Sequence, residues 1–114
     1  MVVPVSSASP VLEKEIENNV VRWWRRKHYL TIKVMKVKGW PDRLFIGPGP
    51  TYVWIEFKTP TGRVSKIQEY TIRIMRALNC RVYVMDNHEE AKEVLLWELI
   101  NQSSGSRKAT KKQG

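Results

Sequence analysis

With 114 residues, 42% of them hydrophobic, the chain has the size of one compact domain with a real core. Twenty Lys and Arg against 11 Asp and Glu leave a formal charge of +9, which favours a polyanionic partner because neutralising phosphates releases condensed counterions. A single cysteine, Cys80, excludes an internal disulfide and fits a reducing, cytoplasmic setting; Met1–Pro10 lacks the pattern of a secretory signal, and no apolar run is long enough to span a membrane.

Residues 1–10 carry Pro4, Pro10 and several serines and predict a flexible arm. Ser9-Pro10 offers a helix start, with Glu13, Glu15 and Glu17 following it and Leu12, Ile16, Val20 and Trp23/Trp24 at helical spacing. This predicts a helix over 11–27. Strands are predicted over 30–37, 43–46 and 51–59, with Gly39-Trp40-Pro41 interrupting the first pair and Gly47-Pro48-Gly49-Pro50 turning the second. After the Pro60-Thr61-Gly62 loop, Ser65 and Gln68 form a capping-box pattern at the head of a second helix, which Asn79 stops. A fourth strand over 81–85 and a third helix over 89–101 complete the domain, and the Ser-, Gly- and Lys-rich residues 102–114 are expected to form a disordered basic tail.

The residues most suggestive of chemistry lie in Gly39-Trp-Pro-Asp-Arg43 and Trp54-Ile-Glu-Phe-Lys58. Alternation along a strand points Glu56 and Lys58 to one side, about 7 Å apart, with Phe57 turned into the core beside Val53 and Ile55. A hairpin centred near Gly49 sets Asp42 opposite Glu56, with Cβ atoms about 4.5–5.5 Å apart. Carboxylates that close repel unless a cation lies between them. Mg²⁺ suits the pair, since it takes one or two protein carboxylates, waters and phosphate oxygens. Lys58 beside such an ion orients the attacking water and offsets developing charge. An acid and a lysine two apart on a strand are also common as a solvent-facing charge pair, so the pair acquires weight only with Asp42 and the capped helix.

These pieces, with Glu13-Lys-Glu-Ile-Glu17 and Ser65-Lys-Ile-Gln68, resemble in order and spacing the VRR-NUC (virus-type replication-repair nuclease) family of the PD-(D/E)XK nucleases, over about residues 12–97. The resemblance implies an α/β restriction-endonuclease-like core, a mixed sheet flanked by helices in the order α-β-β-β-α-β-α. It implies metal ligation by Asp42, Glu56 and the backbone carbonyl of Phe57, a catalytic Lys58 and a supporting Gln68. The first-helix acid of such nucleases, expected to hold the metal with Asp42 and Glu56, falls at Glu17, with Glu13, one turn earlier on the same face, as the rival. Relatives usually end that helix with glycines, where this chain has His28-Tyr29. The chain looks like the short stand-alone members typical of phages, which places it in a host cytoplasm.

Arg25, Arg26, Lys38, Arg43, Arg63 and Lys66 are candidate nucleic-acid contacts; each has an ordinary structural alternative as a solvated or helix-end cation. His28 and His88 are isolated and lack the clustering of a zinc site. The expectation is a Mg²⁺- or Mn²⁺-dependent DNA endonuclease acting on branched DNA. Four-way (Holliday) junctions resolved by a homodimer come first. A flap or other replication-repair endonuclease is the alternative, and a non-catalytic DNA-binding protein on the same fold is the reading from another class.

Overall fold

The computed structural model describes residues 12–112, with side chains through residue 101. The expected N-terminal arm and the Ser9-Pro10 helix start lie outside the described residues. The elements are α1 (Glu13–Arg25), β1 (Leu30–Lys33), β2 (Arg43–Gly47), β3 (Thr51–Phe57), α2 (Lys66–Ala77), β4 (Arg81–Met85) and α3 (His88–Lys112). The order is the expected one, and the four strands form one sheet in sequence order, β1-β2-β3-β4. β1, β2 and β3 are antiparallel neighbours; β4 joins β3 in parallel after α2 crosses over, the connection a parallel pair requires.

Two layers of helix pack on this sheet. Phe45, Val53, Ile55 and Phe57 point to one face and meet Ile16, Val20, Val21 and Trp24 of α1 and Ala91 and Leu95 of α3. Trp24 is fully buried, with its indole N–H donating to the Leu30 carbonyl at 2.8 Å, so the largest side chain of the core leaves no unpaired donor. On the other face, α2 places Ile72 and Met75 against Val82, with Trp54 at the margin. The β1–β2 half of that face has less cover. Leu30 and Ile32 remain exposed, as does Tyr52 across the register from Leu30 through Ile46.

Strand and helix limits differ from the sequence expectation where the backbone turns. β1 stops at Lys33, not at residue 37, because the chain leaves the ladder: Lys36 has φ 63 and Gly39 φ 87. A Cβ on Gly39 would lie 2.9 Å from both Ile67 and Thr71 side chains, so glycine lets this loop lie against α2. β3 stops at Phe57, not at residue 59, where the Lys58 N–H donates to Met85 and the chain departs into the Thr59–Gly62 turn. α1 ends earlier than residue 27, and His28 takes the left-handed conformation (φ 67) that glycine adopts at least cost. Asn79 does the same after α2 (φ 70), as its role as a stop requires. The backbone of α3 stays helical to Lys112, past the Asn101 limit and into the segment expected to be disordered; helix propagation adds one hydrogen bond per residue and can outrun the apolar pattern. Among the described residues, no helix is long and apolar enough to cross a membrane.

Candidate metal and phosphodiester site

The β2–β3 ladder pairs Arg43 with Ile55 and Phe45 with Val53, a register centred on Gly49. One step beyond the last pair, Asp42 faces Glu56, as the hairpin arithmetic predicts. The strand hydrogen bonding runs out here, and the Asp42 side chain takes its place: Oδ2 accepts the Phe57 N–H at 2.9 Å. This bond fixes the aspartate at the strand end and satisfies a backbone donor that the ladder no longer serves.

Ligand atoms of Glu13, Asp42 and Glu56 all lie within 4.8 Å of one another. Glu13 comes from the first turn of α1, where a carboxylate complements the positive end of the helix. Glu56 is almost fully buried. Its Oε2 accepts from the Gln68 amide at 2.7 Å and lies 3.2 Å from Lys58 Nζ, while Oε1 is buried without a hydrogen-bond partner. Burial, then the negative charge of Asp42, pushes the Glu56 carboxyl above its usual range, against the opposing pull of Lys58 and Gln68. An unpaired buried oxygen among three carboxylates is a costly arrangement that a cation relieves. The all-oxygen donor set suits a hard ion such as Mg²⁺ or Mn²⁺.

Gln68 holds two structures together. Its Oε1 accepts the Ser65 N–H at 2.9 Å, and its own N–H donates to Ser65 Oγ at 3.2 Å, completing the capping box of α2. The remaining amide nitrogen is the donor to Glu56.

Glu17, favoured from sequence as the first-helix acid of the site, is held elsewhere. Arg43 Nε donates to its Oε2 at 2.6 Å, and Lys33 Nζ lies 2.9 Å from both oxygens. The structure thus gathers Glu13, not Glu17, with Asp42 and Glu56. The physical reason is visible along α1: Glu17 sits within the inward stripe of Ile16, Val20, Val21 and Trp24, so it is buried against the sheet and needs a cation there. That position within the stripe was the available sequence signal. Arg43, expected to contact nucleic acid, is largely buried in this ion pair. Arg25, Arg26, Lys38, Arg63 and Lys66 are exposed. Sequence reasoning did not anticipate a third buried carboxylate, Glu98 of α3, which receives Arg81 and the Tyr83 hydroxyl of β4.

Three surface clefts lie away from the carboxylates. One is lined by Arg76, Asn79, Cys80, Arg81, Val82 and Tyr83, at the opposite end of the sheet.

A four-stranded mixed sheet with helices on both faces, and an acid, an acid and a lysine at adjoining strand ends, defines a restriction-endonuclease-like fold. Among solved structures, one described as a VRR_NUC domain superposes with a TM-score of 0.63 at 16% identity, covering 73% of this chain and 92% of that one. The chain therefore has the fold of a VRR_NUC domain. No family model and no curated protein matches the sequence.

Proposed function

We propose that the protein is a metal-dependent DNA endonuclease of the VRR-NUC type. The observation that carries this reading is the buried, unpaired Glu56 Oε1 in a cluster with Asp42 and Glu13, beside Lys58, at the strand ends of this fold. Glu13, Asp42 and Glu56 would hold Mg²⁺ or Mn²⁺, with the Phe57 carbonyl as a further ligand. Such an ion would supply Lewis-acid polarisation of a phosphate and a more acidic water. Lys58 orients the nucleophile and offsets charge on the phosphoryl oxygens. Gln68 holds Glu56 in position from the head of α2. The exposed Arg25, Arg26, Lys38, Arg63 and Lys66 supply sequence-independent phosphate contacts.

The substrate we favour is a four-way junction, cut by a homodimer in two symmetric strokes, because one site cuts one strand and a two-fold pair supplies the second. The incompletely covered half-sheet bearing Leu30, Ile32 and Tyr52 supports a self-associating surface. The test is a gel assay on a synthetic four-way junction, a flap and a linear duplex, with Mg²⁺ or EDTA, using native protein and Lys58→Met. Paired symmetric nicks that require Mg²⁺ and Lys58 support the reading. Nicking of flaps alone favours the other branched-DNA enzyme. Binding without any nicking would leave a non-catalytic DNA-binding protein.

A further inference from the structure

We infer that Glu17, Arg43 and Lys33 form a clamp that positions Glu13 in the metal site, so that Glu17 acts on the ion through Glu13 without ligating it. The inference rests on the metal-nuclease reading above.

The two carboxylates on α1 are one turn apart, about 6 Å along the helix axis, and lie on one side of it. Glu13 meets Asp42, whereas Glu17 meets Arg43, the next residue of the same strand entry. One pair of elements, α1 and the start of β2, is therefore joined at two successive points. Strand alternation turns Asp42 and Arg43 to opposite sides of the sheet. α1 packs on the Arg43 side, with Ile16, Val20, Val21 and Trp24 in the core that includes Phe45 and Phe57. Glu13 must therefore reach past the strand end to join Asp42 and Glu56. Among the described residues, nothing in the apolar stripe fixes the helix along its own axis at that end: the last core residue towards the N-terminus is Ile16, and Leu12 is exposed.

The clamp supplies that restraint. The Glu17 carboxylate is 8% exposed and Arg43 12%, so the contact is shielded from water, and Arg43 Nε approaches at 2.6 Å. Lys33 of β1 holds both oxygens at 2.9 Å, which fixes the carboxylate from a second strand. A carboxylate bound by two cations has little to offer a metal. Its charge is already neutralised, and its partners would have to be given up. Arg43 is also the residue next to Asp42, so a shift of the helix that broke the clamp would carry Glu13 away from its partners.

The test is a double-mutant cycle on Mn²⁺ affinity, measured by calorimetry on the full chain, with thermal melts confirming that each variant is folded. Glu17→Gln is expected to weaken Mn²⁺ binding at least tenfold, as is Glu13→Gln. The double variant is expected to bind no more weakly than Glu13→Gln alone, because Glu17 has no route to the ion once Glu13 is gone. A loss of fold stability alone would lower the melting temperature in both backgrounds without this non-additivity. If Glu17→Gln does not fold, Arg43→Lys takes its place in the cycle; it keeps the charge and loses the Nε contact, and the same non-additive loss is expected. Native-like Mn²⁺ affinity in the clamp variant overturns the inference. So do losses that multiply in the double variant, which would make Glu17 an independent ligand. Absence of Mn²⁺ binding by the native protein overturns the metal-nuclease reading itself, and the inference with it.

Discussion

Replacing Asp42 with asparagine is expected to stabilise the metal-free protein while abolishing cleavage. The substitution keeps the side-chain shape, and the asparagine carbonyl can still accept the Phe57 N–H. What it removes is one of three negative charges whose oxygens lie within 4.8 Å. At that separation each pair repels by about 0.9 kcal/mol in the dielectric of water and about 3.5 kcal/mol at an effective dielectric of 20. Glu13 and Asp42 are only half-buried, so the lower figure governs. Asp42 takes part in two such pairs, which gives a relief of about 2 kcal/mol. In a domain near this size each kcal/mol moves the melting temperature by about 4–8 °C, so the variant should melt roughly 8–16 °C higher in EDTA. Circular-dichroism melts in EDTA and in Mg²⁺ measure this directly. The native protein should gain stability on adding Mg²⁺ and the variant little. If Asp42→Asn melts at or below the native protein in EDTA, the carboxylates do not repel as the geometry requires, and the argument for an ion between them fails.

Three further outcomes follow from the same physics. Because burial and Asp42 raise the Glu56 carboxyl above its ordinary 4.5, and a metal needs the ionised form, Mn²⁺ affinity should fall as pH drops through a value above 4.5. Calorimetry in buffers of different ionisation enthalpy should show proton release near that transition; binding unchanged down to pH 4.5 would contradict it. The Tyr83 hydroxyl is pushed up to about 12 by burial and by Glu98, so its contribution to stability is full below pH 10 and is lost as pH rises through about 12. Urea unfolding across that window should show the decline in native protein and a smaller one in Tyr83→Phe. His28→Gly, which places glycine at φ 67, should raise stability by about 0.5–1 kcal/mol, read as a higher urea midpoint with unchanged slope.

The parts of the site that rest on local rules were legible in the sequence. The Asp42–Glu56 pairing follows from hairpin symmetry about Gly49. The Ser65–Gln68 cap follows from a spacing of three, and the common side of Glu56 and Lys58 from strand alternation. The choice between Glu13 and Glu17 was not decided by such rules, because both lie on one helical face and either satisfies the spacing. It depends on how far α1 extends along the sheet and on which acid Arg43 and Lys33 reach, a tertiary matter. The ion pair of Arg43 with Glu17 was hidden for the same reason. A cation beside a candidate site invites a phosphate role until its buried partner is seen. The Glu98–Arg81–Tyr83 group joins residues 15–17 positions apart across a helix–strand contact, with no local pattern to reveal it.

Capping boxes ordinarily accept glutamate and glutamine alike at their third position, since either offers an oxygen to the cap N–H. Residue 68 breaks that equivalence, because its nitrogen is already committed to Glu56. Glutamate there would serve the helix as well and would turn a fourth negative group onto the most buried carboxylate of the cluster. Attempts to strengthen α2 by redesigning its first turn therefore have one position at which a swap neutral for the cap itself sets like charges together at Glu56.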